Sequence, residues 1–128
     1  MKVISLASVR GAPGVTTTAI LLASTFTDAL VVEADLDGGV LAVRYGLGRE
    51  PGLTTFAADG PDADGGWRAH AQDAGGVPVL VGPDAPAAST SVWRTAGERI
   101  THKLVAADGV AIVDAGRLRS PVPIVAAS

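Results

Sequence analysis

Cysteine is absent from the 128 residues, which excludes disulfide frameworks, thiolate metal sites and thiol nucleophiles together. Histidine is nearly absent too. His70 and His102 stand alone in the sequence, so no histidine-rich metal motif can be written. Charged residues make up only 18% and Lys+Arg nowhere cluster, while the formal charge is −3. A nucleic-acid surface needs concentrated positive charge, so direct nucleic-acid binding is not expected. No apolar run reaches the roughly 18 to 20 residues of a membrane span. The apolar start, Val3 to Val9, is broken by Arg10-Gly11 and lacks a following cleavage site, so it reads as a buried strand rather than a signal peptide. A soluble cytoplasmic protein is the expectation.

What is present is apolar residues (48%), 16 glycines and 8 prolines: enough for a core, with many turns. Val3 to Ser8 reads as a strand, followed by the loop Arg10-Gly11-Ala12-Pro13-Gly14. Thr16 to Phe26 reads as a helix whose apolar residues cover most of its circumference, as in a helix packed hard on a sheet. Leu30 to Glu33 is a second buried strand, leading into Glu33-Ala34-Asp35-Leu36-Asp37 and a Gly38-Gly39 turn. Val40 to Leu47 suggests a short helix. Pro51 to Gly76 is weakly patterned, with a loop over Asp59 to Gly66 and a helix over Trp67 to Ala74. Val77 to Val81 is a third strand. Val92, Ala96, Ile100 and Leu104 recur every four residues, which predicts a helix over Ser89 to Ala106 capped by Ser89 or Ser91. Gly109 to Val113 is a fourth strand ending at Asp114, and Ser120 to Ser128 reads as a turn and tail.

Alternating strands and helices, with no internal repeat or linker, predict a single domain over residues 1–128. Its expected form is a three-layer α/β sandwich on a mostly parallel sheet, with the first strand beside the Asp114 strand. Such sheets bind ligands at the carboxyl ends of their strands. The loop Arg10 to Thr17, the acids Glu33 and Asp35, and Asp114 all fall on that edge. A glycine loop feeding a helix N-terminus suits a phosphate, and a hydroxyl at Thr16 with carboxylates at Asp35 and Asp114 suits a water-bridged Mg²⁺.

Arg10-Gly11-Ala12-Pro13-Gly14-Val15-Thr16-Thr17-Thr18-Ala19 resembles the deviant Walker A motif, K-G-G-x-G-K-T-T-x-A, of ParA/MinD-type P-loop ATPases. Val31 to Gly39 resembles the next acidic motif of that family, and Val110-Ala111-Ile112-Val113-Asp114 resembles Walker B. The resemblance implies a P-loop NTPase-like fold, here the N-terminal half of the family fold, either truncated or naturally short. It implies ATP/ADP and Mg²⁺ as cofactors, held by Gly11, Ala12, Pro13, Gly14, Val15, Thr16 and Thr17, with Thr16, Asp114 and Asp35 around the metal. Asp35 would orient the attacking water, Arg10 would supply positive charge, and the partner would be a second copy or a full-length relative. The departures weaken the catalytic expectation. Val15 stands at the phosphate-bridging lysine, Arg10 replaces the signature lysine, and Pro13 removes one N–H from the cradle. The loop is similar to the G-x-P-G-V-T of an actinobacterial ParA/MinD-like subgroup. The expected activity is therefore weak nucleotide or phosphate binding with little or no hydrolysis, serving partitioning or positioning through protein contacts. An active ATPase switch and a ligand-free interaction scaffold stay open as alternatives. A Rossmann dinucleotide site, with Glu33 on a ribose, is disfavoured because G-x-G-x-x-G is absent. Asp59 to Asp64 lacks the twelve-position pattern of a calcium loop, His102 reads as a surface residue, and Trp67 and Trp93 read as packing anchors.

Overall fold

The computed structural model describes residues 1–8, 14–59 and 66–117. The five strands are β1 (Lys2–Ser8), β2 (Ala29–Glu33), β3 (Gln72–Ala74), β4 (Val77–Leu80) and β5 (Val110–Arg117). The helices are α1 (Val15–Ala23), α2 (Leu41–Tyr45), α3 (Leu53–Ala58) and α4 (Pro86–Ala106), with a 3-10 turn at Gly66–His70. Strands lie in the order β1-β5-β2-β4-β3, parallel except for the antiparallel pair β3 and β4. The first strand does lie beside the Asp114 strand. Leu6 and Glu33 flank Asp114 in register, so β2 ends level with Asp114 while β1 and β5 run on to pair Ser8 with Arg117.

The period of two along the buried strands divides the core into two layers. Leu30 and Val32 of β2, with Ala111 and Val113 of β5, face Phe56, Trp93, Ile100 and Leu104 of α3 and α4. Ala29, Val31 and Ile112 face the other way, onto Ala19 and Ala23 of α1 and Leu41 of α2. Helices on both faces make the three-layer sandwich, and they explain why β2 and β5 read as uninterrupted apolar runs.

Several local expectations change. Helix α1 ends at Ala23, because the Ser24 and Thr25 hydroxyls bond back to the Leu21 and Leu22 carbonyls and close the last turn. It buries only small residues, Ala19 and Ala23, and leaves Leu21 63% exposed, so it is not apolar-covered all round. Helix α4 begins at Pro86, where a proline's missing N–H is harmless, rather than at a serine cap. Its buried stripe is Ser89, Trp93, Gly97, Ile100 and Leu104. The expected helix over Trp67 to Ala74 is instead a 3-10 turn followed by β3. Strand β3 reaches β4 through Gly75 and Gly76, both at positive φ (60° and 95°), as a two-residue hairpin requires. Trp67 and Trp93 are buried anchors and His102 is exposed, as expected. His70 does not stand alone. It is buried, with Nδ1 2.8 Å from Thr55 Oγ1 and Nε2 2.5 Å from Asp59 Oδ2. The expected loop falls largely on residues 60–65 and the expected tail on residues 120–128; both lie outside the described residues.

Candidate functional site at the carboxyl edge of the sheet

Gly14 precedes α1 with φ at 102°, a left-handed conformation that a side chain would strain, so glycine is required there. The first intrahelical bond of α1 runs from the Thr18 amide to the Gly14 carbonyl at 2.8 Å. The N–H groups of Val15, Thr16 and Thr17 precede that bond and carry the positive end of the helix dipole. Thr16 Oγ1 donates to Asp114 Oδ2 at 2.6 Å, and the Gly116 amide donates to Asp114 Oδ1 at 3.1 Å. Asp114 is 1% exposed, so its carboxylate lies beneath the site and holds Thr16 from below. A hydroxyl that gives its proton to a buried carboxylate keeps its lone pairs for a cation on the other side, which fits the donor chemistry of Mg²⁺.

Asp35 reaches the same place from the end of β2. Its Oδ1 accepts the Asp37 amide at 2.8 Å, and its backbone carbonyl accepts Ser89 Oγ at 2.7 Å. Ser89, expected as a helix cap, is therefore a tether between α4 and the Asp35 loop. Gly116 permits the approach, since a Cβ there would lie 2.3 Å from the Asp35 carboxyl carbon. Gly14, Val15, Thr16, Thr17 and Asp35 line one cleft of about 400 Å³. Of the sequence-derived set, Asp114 joins it through Thr16, while Arg10, Gly11, Ala12 and Pro13 lie outside the described residues. No group of three or more His, Asp or Glu side chains among the described residues forms a metal cage. An ion here would rest on Thr16, water and the ligand's own oxygens, as Mg²⁺ sites commonly do.

Glu33 is not a site acid. It is 2% exposed, and its carboxylate accepts the amides of Val40 (2.8 Å), Leu41 (3.0 Å) and Gly82 (2.9 Å). Burial pushes its carboxyl above the ordinary range, against the pull of those amides, and the charge of Asp114 adds to the rise. A ribose-binding role for Glu33 has no support here, because its carboxylate is buried against three amides and Glu33 is not among the residues that line the cleft. Two cations that line the cleft escaped the sequence reading: Arg44 on α2 and Arg117 at the end of β5. The signal available for Arg44 was a cation in the helix directly after the acidic motif.

No family model matches the chain, and no curated protein matches it. Among solved structures, the chimerical protein CapA2B2 superimposes with a TM-score of 0.62 at 16% identity, over 94% of this chain and 54% of its own. The kinase domain of the Escherichia coli tyrosine kinase ETK gives a TM-score of 0.57 at 20% identity, over 98% of this chain and 51% of its own. The fold is P-loop NTPase-like. This chain spans about half the length of both structures.

Proposed function

We propose that this chain is a degenerate ParA/MinD-like P-loop protein, binding nucleotide or phosphate weakly and hydrolysing ATP little or not at all by itself. The observation that carries the reading is the Thr16–Asp114 hydrogen bond beside Val15. The hydroxyl and buried carboxylate of a Mg²⁺-nucleotide site are joined, while the neighbouring position offers an apolar side chain instead of an ammonium. Phosphoryl transfer depends on positioned positive charge, so binding outlasts catalysis when that charge is lost. Gly14, Thr16 and Thr17, with Gly11, Ala12, Pro13 and Val15 of the loop, would cradle the phosphates. Any residual hydrolysis would use Asp35 to orient water and Arg10 for charge.

A role in partitioning or positioning, exerted through a second copy or a full-length relative in the cytoplasm, belongs to the same proposal. No described helix is long and apolar enough to cross a membrane. A pure scaffold is the second reading, favoured by Val43, 86% exposed on α2 beside the cleft. Calorimetric titration with ATP and ADP, with and without Mg²⁺, decides between them. Heat of binding that Thr16→Ala abolishes supports the nucleotide site; no heat at millimolar ligand leaves the scaffold.

A further inference from the structure

The apolar Val15 leaves a phosphate-sized cleft without the cation its lysine would supply, and the same cleft is lined by two carboxylates, Asp35 and Asp37. Among the described residues that line the cleft, two guanidiniums, those of Arg44 and Arg117, stand opposite those carboxylates. Of the two, Arg44 stands at the helix terminus: its Nη1 donates to Thr17 Oγ1 at 3.2 Å, within the first turn of α1. Its backbone is held in place. The amides of Val40 and Leu41, which open α2, bond to the buried Glu33 carboxylate, and the Arg44 amide bonds to the Val40 carbonyl one turn later. The ion pairs among the described residues, Arg49–Asp84, Arg68–Asp28 and His70–Asp59, do not include Arg44. Its single long hydrogen bond to a hydroxyl is easily exchanged for a charge-assisted bond to a phosphate oxygen.

Resting on the nucleotide-site reading, we propose that Arg44 is the phosphate-binding cation of this cleft, supplying from α2 the charge that Val15 withholds from the loop. The planar fork of arginine suits two oxygens of one phosphate group. Glu33 then acts as a positioning residue, because it anchors the turn from which Arg44 projects.

The test is calorimetric titration of the full chain with MgATP and with inorganic pyrophosphate, comparing wild type, Arg44→Gln, Arg44→Lys and Arg117→Gln. Arg44→Gln is expected to weaken both ligands roughly 10- to 100-fold, with Arg44→Lys recovering part of the loss. Arg117→Gln, lacking the Thr17 contact, is expected to cost less. Wild-type affinity should fall with added salt more steeply than that of Arg44→Gln, a readout that does not depend on any one variant's stability. Arg44 is exposed, so unchanged thermal midpoints should accompany these losses. Wild-type binding that Arg44→Gln leaves within twofold would overturn the role of Arg44 alone. No wild-type binding of either ligand would overturn the nucleotide-site reading and the role of Arg44 with it.

Discussion

A carboxylate at the end of a fully buried strand needs a physical reason, and Glu33 has three backbone amides as its reason. Two donate to Oε2 and one to Oε1, so both oxygens must accept. A glutamine in its place could offer one accepting oxygen, but its NH₂ would face an N–H donor across a buried gap. Glu33→Gln is therefore expected to lower stability by about 2–4 kcal/mol in urea titration, a large effect for a one-atom change. A cost under about 0.5 kcal/mol would mean that the three bonds contribute little. The same residue sets a pH dependence. Its folded carboxyl titrates above the ordinary value of 4.5, so the folded state holds the proton more tightly than the unfolded chain. Glu33's contribution is thus largest below that ordinary value and is lost as pH rises through the higher folded value. Subtracting the Glu33→Gln profile from the wild-type profile should isolate that decline, which sets in above pH 4.5.

At the scale of elements, legibility followed length and burial. Strands β2, β4 and β5 were readable because a buried strand of a covered sheet is a short unbroken apolar run, whereas β1, expected to be buried, is a half-buried edge strand that was legible from its β-branched residues and the glycine loop after it. The glycine turn and α1, the acidic end of β2 and Asp114 were readable as site parts for the same reason: each follows such a run. Asp114, however, lies within β5, which continues to Arg117. The six residues of α3 and the three of β3 are too few to show any period, and Gln72-Asp73-Ala74 shows no alternation at all. The tethers were beyond the sequence altogether. Ser89 to Asp35, Glu33 to Gly82 and Arg44 to Thr17 join residues 54, 49 and 27 positions apart, and nothing local marks them. The Gly75-Gly76 turn carries a testable consequence. Space around Gly76 is open, with no atom within 4 Å of an added Cβ, so Gly76→Ala meets no clash and pays only for its φ of 95°. A loss of about 1–2 kcal/mol in denaturant titration is expected, and no loss would mean that the turn readily changes type.

For the whole molecule, the cleft's position matters more than any one of its contacts. It is bounded by the ends of β1, β2 and β5 and by the start of α1, and Asp114 joins α1 to the sheet through Thr16. A ligand seated there touches elements drawn from most of the chain, so its binding should couple to global unfolding rather than to a local loop. Mass action then sets the size of the effect: free ligand at tenfold its dissociation constant adds about 1.4 kcal/mol. For a domain of this length that corresponds to a rise in thermal midpoint of roughly 3–6 °C. MgADP and MgATP are both expected to give this rise, without release of inorganic phosphate above background, because binding and not turnover is what the remaining groups support. Thr16→Ala should remove the shift and also lower the ligand-free midpoint by several degrees, since it takes a hydrogen-bond donor from the buried Asp114 carboxylate. A shift accompanied by steady phosphate release that Asp35→Ala stops would establish a working ATPase in spite of Val15. Such release would mean that guanidinium charge around the cleft suffices for phosphoryl transfer without the loop lysine.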